Sequence, residues 1–361
     1  MSGSLLHESV EIDERKDSLE FSREQTFLSW FYDRYDPEAA GNVSLQREGQ
    51  DQMPEIVVPE WVVHGTGAER TAIYSSHVNA AGTHLATGGG GKQFAPRCKK
   101  VRAMALFVKQ SWQPPMHAAR LNLWRTDLCA VADCHIKIWN MERVWNDEST
   151  GPKMLCSSKD HSEPVNCVRW SPCGQFLASC AGDKMVFVLR MGSKFGKPIV
   201  LLGEKDPNFE NWEEHCRFVG HTSDVLHVAW CPKTAGRLAS CSMDCSINVW
   251  QMPNKEPIKT IDTTLPCKGV AWDPIGKYLA AQVQGAEQIV KVWRIRDWKL
   301  ESTNVKGFES PDDTRFLRLS WSPDGQALAT ANGFDNNQYN CSMLKRGSGG
   351  IAQGNDVRTF S

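Results

Sequence analysis

The sequence predicts an all-β repeat fold, and three observations carry that prediction. First, a unit recurs in which an apolar run ending in Trp is followed by a Pro/Gly turn and a second apolar run rich in small residues. It reads VNCVRWSPCGQFLASC from Val165, VLHVAWCPKTAGRLASC from Val225, KGVAWDPIGKYLAA from Lys268 and LRLSWSPDGQALATA from Leu317. Second, the tryptophans closing the first runs, Trp170, Trp230, Trp272 and Trp321, lie 60, 42 and 49 residues apart. That spacing suits four-stranded sheets joined by loops of varying length, and matches no helical repeat as well. Third, a polar turn carrying Asp leads into a further run ending in Trp, as in SMDCSINVW (Asp244, Trp250) and IVKVW (Trp293).

Each hairpin unit alternates apolar and polar residues as a half-buried strand does, and its SPxG or DPxG step supplies a tight turn. With the third run added, the unit is a blade of a β-propeller. An earlier blade starts at AIYSSHVNAAGTHLATGGGG (72–91) and resumes at HIKIWNM (135–141). Residues 92–134 between them show neither alternation nor turn punctuation, and read as an insertion at that blade's hairpin turn. Both a functional loop and translated intervening sequence fit it.

Residues 1–54 contain no repeat unit and mix acidic residues with an aromatic patch, Phe27 to Tyr35. They read as a mostly disordered extension, the patch being either a docking helix or a small local cluster. After Asn332 the repeat decays into polar, Gly-rich sequence that is expected to supply no further buried strand set, and 347–361 reads as an irregular tail. The expected organisation is therefore a propeller over 55–346 with about five recognisable blades.

Composition excludes several functions. The 41 basic and 42 acidic side chains nearly cancel, so no global field draws the chain to nucleic acid or an anionic membrane. An acidic opening stretch and the lack of a long apolar run lead to the expectation of a soluble intracellular protein. Thirteen cysteines lie singly in apolar runs such as LASCAGD, which predicts reduced, buried thiols. Cys129, Cys134 and His135 lack a fourth ligand at zinc spacing, so no metal is expected. The run Gly88 to Gly91 is followed by Lys92 and Gln93 rather than by GK[ST], which argues against a phosphate loop. RCKKVR (Arg97 to Arg102) is a short basic run that reads as a solvated loop. No catalytic residue, cofactor or small-molecule substrate is expected.

Gly220 and His221 stand before one hairpin, and Ser240, Asp244 and Trp250 follow in it. This resembles the GH-to-WD signature of the WD-repeat family. The resemblance implies that the His, Ser, Asp and Trp form a hydrogen-bonded row inside the blade, a structural role. The preceding unit keeps His161, Ser179 and Asp183 but has Leu189 at the Trp position, so its row is expected to be shorter. Trp293 is the matching indole of the following unit.

Words outside the signature narrow the resemblance. IVVPEWVVHG from Ile56, CVRWSPCGQFLASC, WDPIGKYLAAQ, VKVWRIRDWKLES and RLSWSPDG follow, in colinear order, the HIRA-type histone chaperones. The propeller subunit of chromatin assembly factor one is similar in its blades, and a generic WD-repeat adaptor is the other alternative. The HIRA resemblance implies a nuclear, non-enzymatic scaffold that joins a ubinuclein-type subunit and other histone chaperones. Histones are reached through that complex, which deposits the replacement form of histone H3 independently of replication and affects transcription and silencing. Contact with chromatin is then indirect. The family ring has seven blades and a long carboxy-terminal region. With about five units, this chain is expected to form either a smaller ring or an open arc with unpaired sheet edges.

Overall fold

The computed structural model describes residues 55–57, 64–66, 69–71, 73–89, 107–109, 134–145, 148–192, 198–200, 207–284, 288–304, 315–335, 338–347, 350–351 and 358–360. The chain divides into two units, Met1–Met53 and Pro54–Ser361, and every described residue belongs to the second. The expectations for 1–54, for the patch Phe27 to Tyr35, for Arg97 to Arg102 and for Cys129 therefore lie outside the described residues.

Short strands β1 (Glu55–Val57), β2 (His64–Thr66) and β3 (Glu69–Thr71) come first, β2 pairing with β3. The first blade contains β4 (Ile73–Val78) and β5 (His84–Gly89). After β6 (Phe107–Lys109) it continues with β7 (Ile136–Asn140), the short helix α1 (Met141–Trp145) and β8 (Met154–Ser158). The second blade is β9 (Val165–Trp170), β10 (Phe176–Ala181), β11 (Met185–Met191) and β12 (Trp212–Val219). The third is β13 (Val225–Trp230), β14 (Arg237–Ser242), β15 (Ser246–Gln251) and β16 (Lys259–Asp262). The fourth is β17 (Cys267–Trp272), β18 (Tyr278–Gln284), β19 (Gln288–Arg294) and β20 (Lys299–Asn304). The fifth sheet holds β21 (Leu319–Trp321), β22 (Ala327–Asp335), β23 (Gln338–Gly347) and β24 (Gly350–Ile351), with β25 (Arg358–Phe360) also on β23. Each blade is an antiparallel meander, the arrangement of a β-propeller.

The turns follow from glycine at one fixed place. Gly82, Gly174, Gly236, Gly276 and Gly325 close the hairpins between the first two strands of the five blades, all at φ between 68° and 83°. A side chain with a Cβ rarely adopts that conformation.

The inner strands are more deeply buried than alternation suggests. VNCVRW, VLHVAW and CKGVAW are buried at every position, because each lies between two neighbouring blades and has no solvent face. Accordingly the apolar layers form between blades. One unites Ala229, Cys241 and Val249 of the third blade with Val270, Trp272 and Leu279 of the fourth. Another unites Cys167, Val188 and Phe218 of the second with Val228, Leu238 and Trp250 of the third.

The recurring tryptophans tie these layers together. Each indole N–H donates to a carbonyl on the inner strand of the preceding blade: Trp170 to His77 (2.9 Å), Trp230 to Arg169 (2.8 Å), Trp272 to Ala229 (2.9 Å) and Trp321 to Ala271 (3.3 Å). The first blade has Val78 at this place.

In the first blade β5 pairs directly with β7, from His84↔Asn140 to Gly88↔Ile136, so the chain between them leaves the sheet at one hairpin. Within it, β6 pairs with β1, which adds a strand where the sequence shows no alternation. Gly88 belongs to β5, and a Cβ there would come within 2.6 Å of Val165 in the next blade. Close packing of strands, rather than a phosphate cradle, accounts for that glycine.

β23 completes the fifth blade within the expected span 55–346, pairing with β22 as far as Ala327↔Lys345, and the short strands β24 and β25 pair with it inside 347–361, which the sequence reads as an irregular tail. An outer strand is held by backbone pairing to its inner neighbour and needs no apolar alternation of its own.

The cysteines from Cys134 to Cys267 are free thiols, and seven of these ten are buried. Among the described residues no helix is long and apolar enough to cross a membrane.

Candidate functional site

Two polar systems are buried in this apolar stack: the rows inside the blades, and a group where the inner strands meet. In the third blade His221 leads into β13, while Ser240 on β14 and Trp250 on β15 lie diagonally, Ser240 pairing with Asn248 and Trp250 with Leu238. His221 Nδ1 donates to Asp244 Oδ2 at 2.9 Å, Ser240 Oγ donates to His221 Nε2 at 2.8 Å, and Trp250 Nε1 donates to Ser240 Oγ at 2.8 Å. One proton arrangement with a neutral imidazole satisfies all three bonds. Asp244 also accepts from the backbone N–H of Thr222 and Ser246. Burial works against its charge, but the bonds from His221, Ser246 and Thr222 outweigh it and hold the carboxyl well below its usual range. Gly220 leaves room for the indole, since a Cβ there would lie 3.0 Å from the Trp250 ring.

The second blade repeats the row in shorter form. Asp183 accepts from His161 Nδ1 at 2.8 Å, and His161 Nε2 meets Ser179 Oγ at 2.9 Å. The row ends there, with Leu189 in place of an indole and Phe187 packed on His161 at 4.6 Å. In the fourth blade the register of Ser240 is taken by Ala281, so Trp293 finds no hydroxyl and instead packs with Trp272 and Leu279. Trp293 is a core residue, not a member of a row.

Asp183, His161 and Ser179 have the distances of a Ser–His–Asp triad. Their setting removes that chemistry: Ser179 and Ser240 are fully buried between strands, so no substrate carbonyl reaches either hydroxyl. What the rows can do is lock each blade's loop to its sheet. His221→Ala or Asp244→Ala is expected to lower stability by about 1–3 kcal/mol, because the remaining partner is left buried and unsatisfied. Urea midpoints equal to that of the parent protein would contradict this role.

The second system was not singled out in the sequence, although its signal is there: polar residues interrupt otherwise apolar inner strands. Arg169, His227 and Arg318 are buried where these strands meet. Arg169 Nη2 donates to His227 Nε2 at 2.9 Å, and His227 Nδ1 lies 3.0 Å from the Val270 carbonyl, which fits a neutral ring protonated on Nδ1. Arg318 donates to the carbonyls of Tyr74 at 2.9 Å and Asn166 at 2.7 Å. With Tyr74 and Phe316 5.6 Å apart, the segment leading into the fifth blade touches the first.

Burial lowers the His227 pKa from 6.5 to about 4. Between those values the unfolded chain carries a proton there that the folded chain does not, so stability falls as pH drops from 6.5 toward 4. The expected loss is about 2–3 kcal/mol. Asp183 and Asp244, whose pKa values are lowered, lose their contribution only below 3.8. Denaturation across this range should show the upper slope in the parent protein and a flatter one in His227→Gln; identical slopes would rule His227 out as its source.

The repeated meanders and the Asp–His–Ser–Trp row define a WD-repeat β-propeller. Residues 115–346 match the family described as the CAF1B/HIR1 beta-propeller domain, and the chain belongs to that family. It is 32% identical over 300 residues to Protein HIR1 of Cryptococcus neoformans var. neoformans serotype D, a match covering 81% of this chain and 29% of that protein. It is 34% identical over 231 residues to Protein hir1 of Schizosaccharomyces pombe, covering 60% of this chain and 24% of that protein. With Protein hir-1 of Neurospora crassa the identity is 27% over 310 residues, covering 81% and 26%. The chain thus spans less than a third of the length of these curated relatives.

Proposed function

We propose that this chain is the propeller portion of a non-enzymatic scaffold subunit of a nuclear histone-chaperone complex. The observation that carries the reading is the family match over 115–346, together with colinear similarity to HIR1 proteins over 81% of the chain. The buried rows support it from the chemical side, since their nucleophile-like groups serve the fold. In this reading the propeller joins a ubinuclein-type subunit and other histone chaperones. Histones are engaged through the complex, and the outcome is nucleosome assembly independent of replication, with effects on transcription and repression. Chromatin association is indirect, through protein partners.

A second reading, the propeller subunit of chromatin assembly factor one, is favoured by one observation: the matched family carries both names. Affinity purification of the tagged chain from nuclear extract, followed by quantitative mass spectrometry, separates the two. Enrichment of histone H3 and H4 with a ubinuclein-type subunit supports the first reading. Enrichment of chromatin assembly factor subunits supports the second. Recovery of neither histones nor chaperone subunits leaves a generic adaptor and overturns both.

A further inference from the structure

Elsewhere this fold pairs a half-buried arginine with a buried carboxylate. Arg346 Nη2 lies 2.9 Å from Asp273 Oδ2, and Asp273 is fully buried. The centre of the inner strands is different. Arg169 and Arg318 are only 4% and 6% exposed. Arg169 donates to Ser75 Oγ (2.8 Å), the Val168 carbonyl (2.7 Å) and His227 Nε2 (2.9 Å). Arg318 donates to the carbonyls of Tyr74 and Asn166. Each of these acceptors is uncharged; among the described residues the Nε–H of both arginines has no acceptor, as is also true of Arg346. Burial, reinforced by the neighbouring charge of Arg169, lowers the Arg318 pKa to about 10, so at neutral pH Arg318 remains a cation. Among the described residues no carboxylate bonds either guanidinium, while the buried Cys167 thiol beside them is held well below its usual range by its hydrogen bond with Cys180 and by the charge of Arg169; two buried like charges so placed favour the approach of an anion.

A third arginine leads from this centre to the surface. Arg315 is 45% exposed, lies 5.6 Å over the Tyr74 ring and 5.7 Å over Phe316, and donates to Asn166 Oδ1 at 3.1 Å. The Arg318 guanidinium lies 4.6 Å from the same Phe316 ring, so the cluster is connected. Among the described residues the carboxylate within ion-pair distance of Arg315 is Asp224, at 3.6 Å and 43% exposed, a contact of little energetic weight.

We propose that this mouth, formed by Arg315, Arg318, Tyr74 and Phe316, docks an acidic segment of a protein partner. A carboxylate of that segment displaces Asp224 from Arg315 and supplies counter-charge toward Arg318, in the planar geometry that guanidinium and carboxylate share. Tyr74 and Phe316 offer ring surface that an inorganic anion does not use and that a peptide side chain does. Arginine and tyrosine are also the residue types on which binding energy concentrates. The sign of the mouth repels a lysine-rich histone tail, so its occupant is a different component. This assignment goes beyond the scaffold reading and does not depend on it.

The test is fluorescence anisotropy on the whole chain, with a fluorescein-labelled peptide alternating Glu and Leu, and a second peptide with Gln for each Glu. The Glu peptide is expected to bind at least about tenfold more tightly, with a strong dependence on salt. Arg315→Gln, at an exposed position, should weaken it about tenfold without moving the melting temperature. Arg318→Gln should do the same wherever circular dichroism shows the fold retained. Arg217→Gln, on the outer strand β12, should change nothing. Equal binding of both peptides, or undiminished binding to Arg315→Gln, overturns the proposal. Displacement of the Glu peptide by inorganic phosphate at equal affinity also overturns it, by making the mouth a simple anion site.

Discussion

Trp250→Ala is expected to lower the stability of the propeller by about 4 kcal/mol, a loss typical of deleting a fully buried large aromatic. Trp250 has no exposed surface, stacks on Phe218 at a centroid distance of 4.9 Å, and packs in the layer between the second and third blades. It also completes the row through Ser240. Trp250→Phe separates the two contributions: it keeps most of the ring volume, loses the hydrogen bond, and should cost about 1–2 kcal/mol. Urea denaturation of both variants measures this directly. A Trp250→Ala midpoint shift worth less than about 1 kcal/mol would mean that the blades do not depend on this layer.

Gly269→Ala is the second large effect. A Cβ at this position would sit 1.7 Å from the carbonyl oxygen of Leu317 and 2.7 Å from its carbonyl carbon. The obstacle is backbone, which no side-chain rotation can move aside, and the Leu317 N–H donates to the Lys268 carbonyl beside it at 3.3 Å. The added methyl must push β17 away from β21, so the cost is expected at or above the upper end of overpacking, about 3 kcal/mol. The fifth blade should detach first. Limited proteolysis is expected to cut the Gly269→Ala chain near Leu317 at protease levels that leave the parent intact; an unchanged digestion pattern together with an unchanged melting temperature would refute the clash.

The sequence made the repeat legible for physical reasons. A turn that needs positive φ calls for glycine, so Gly174, Gly236, Gly276 and Gly325 stand at one place in successive units and mark the hairpins. The rows were legible for a similar reason: a buried His must find partners, and His221, Ser240, Asp244 and Trp250 are the residue types able to supply them at fixed spacing. Trp293 shows the limit. Its third-strand pattern matches that of Trp250, but whether a row forms depends on the opposite strand, where Ala281 replaces the serine. The short strands β24 and β25 were not legible because an edge strand is held by its neighbour's backbone rather than by its own pattern. Arg169 and Arg318 were missed because their meaning lies in where five separate strands converge, which no local window contains.

The indole contacts between blades have a direction. In every case the donor sits in the later blade and the acceptor carbonyl in the earlier one. A chain emerging from the ribosome therefore presents each new blade with an anchorage that already exists, and no blade has to wait for a successor before it can fasten. The first blade, with Val78 at that place, receives a fastening and gives none. It acts as the foundation course on which the others are laid in order of synthesis.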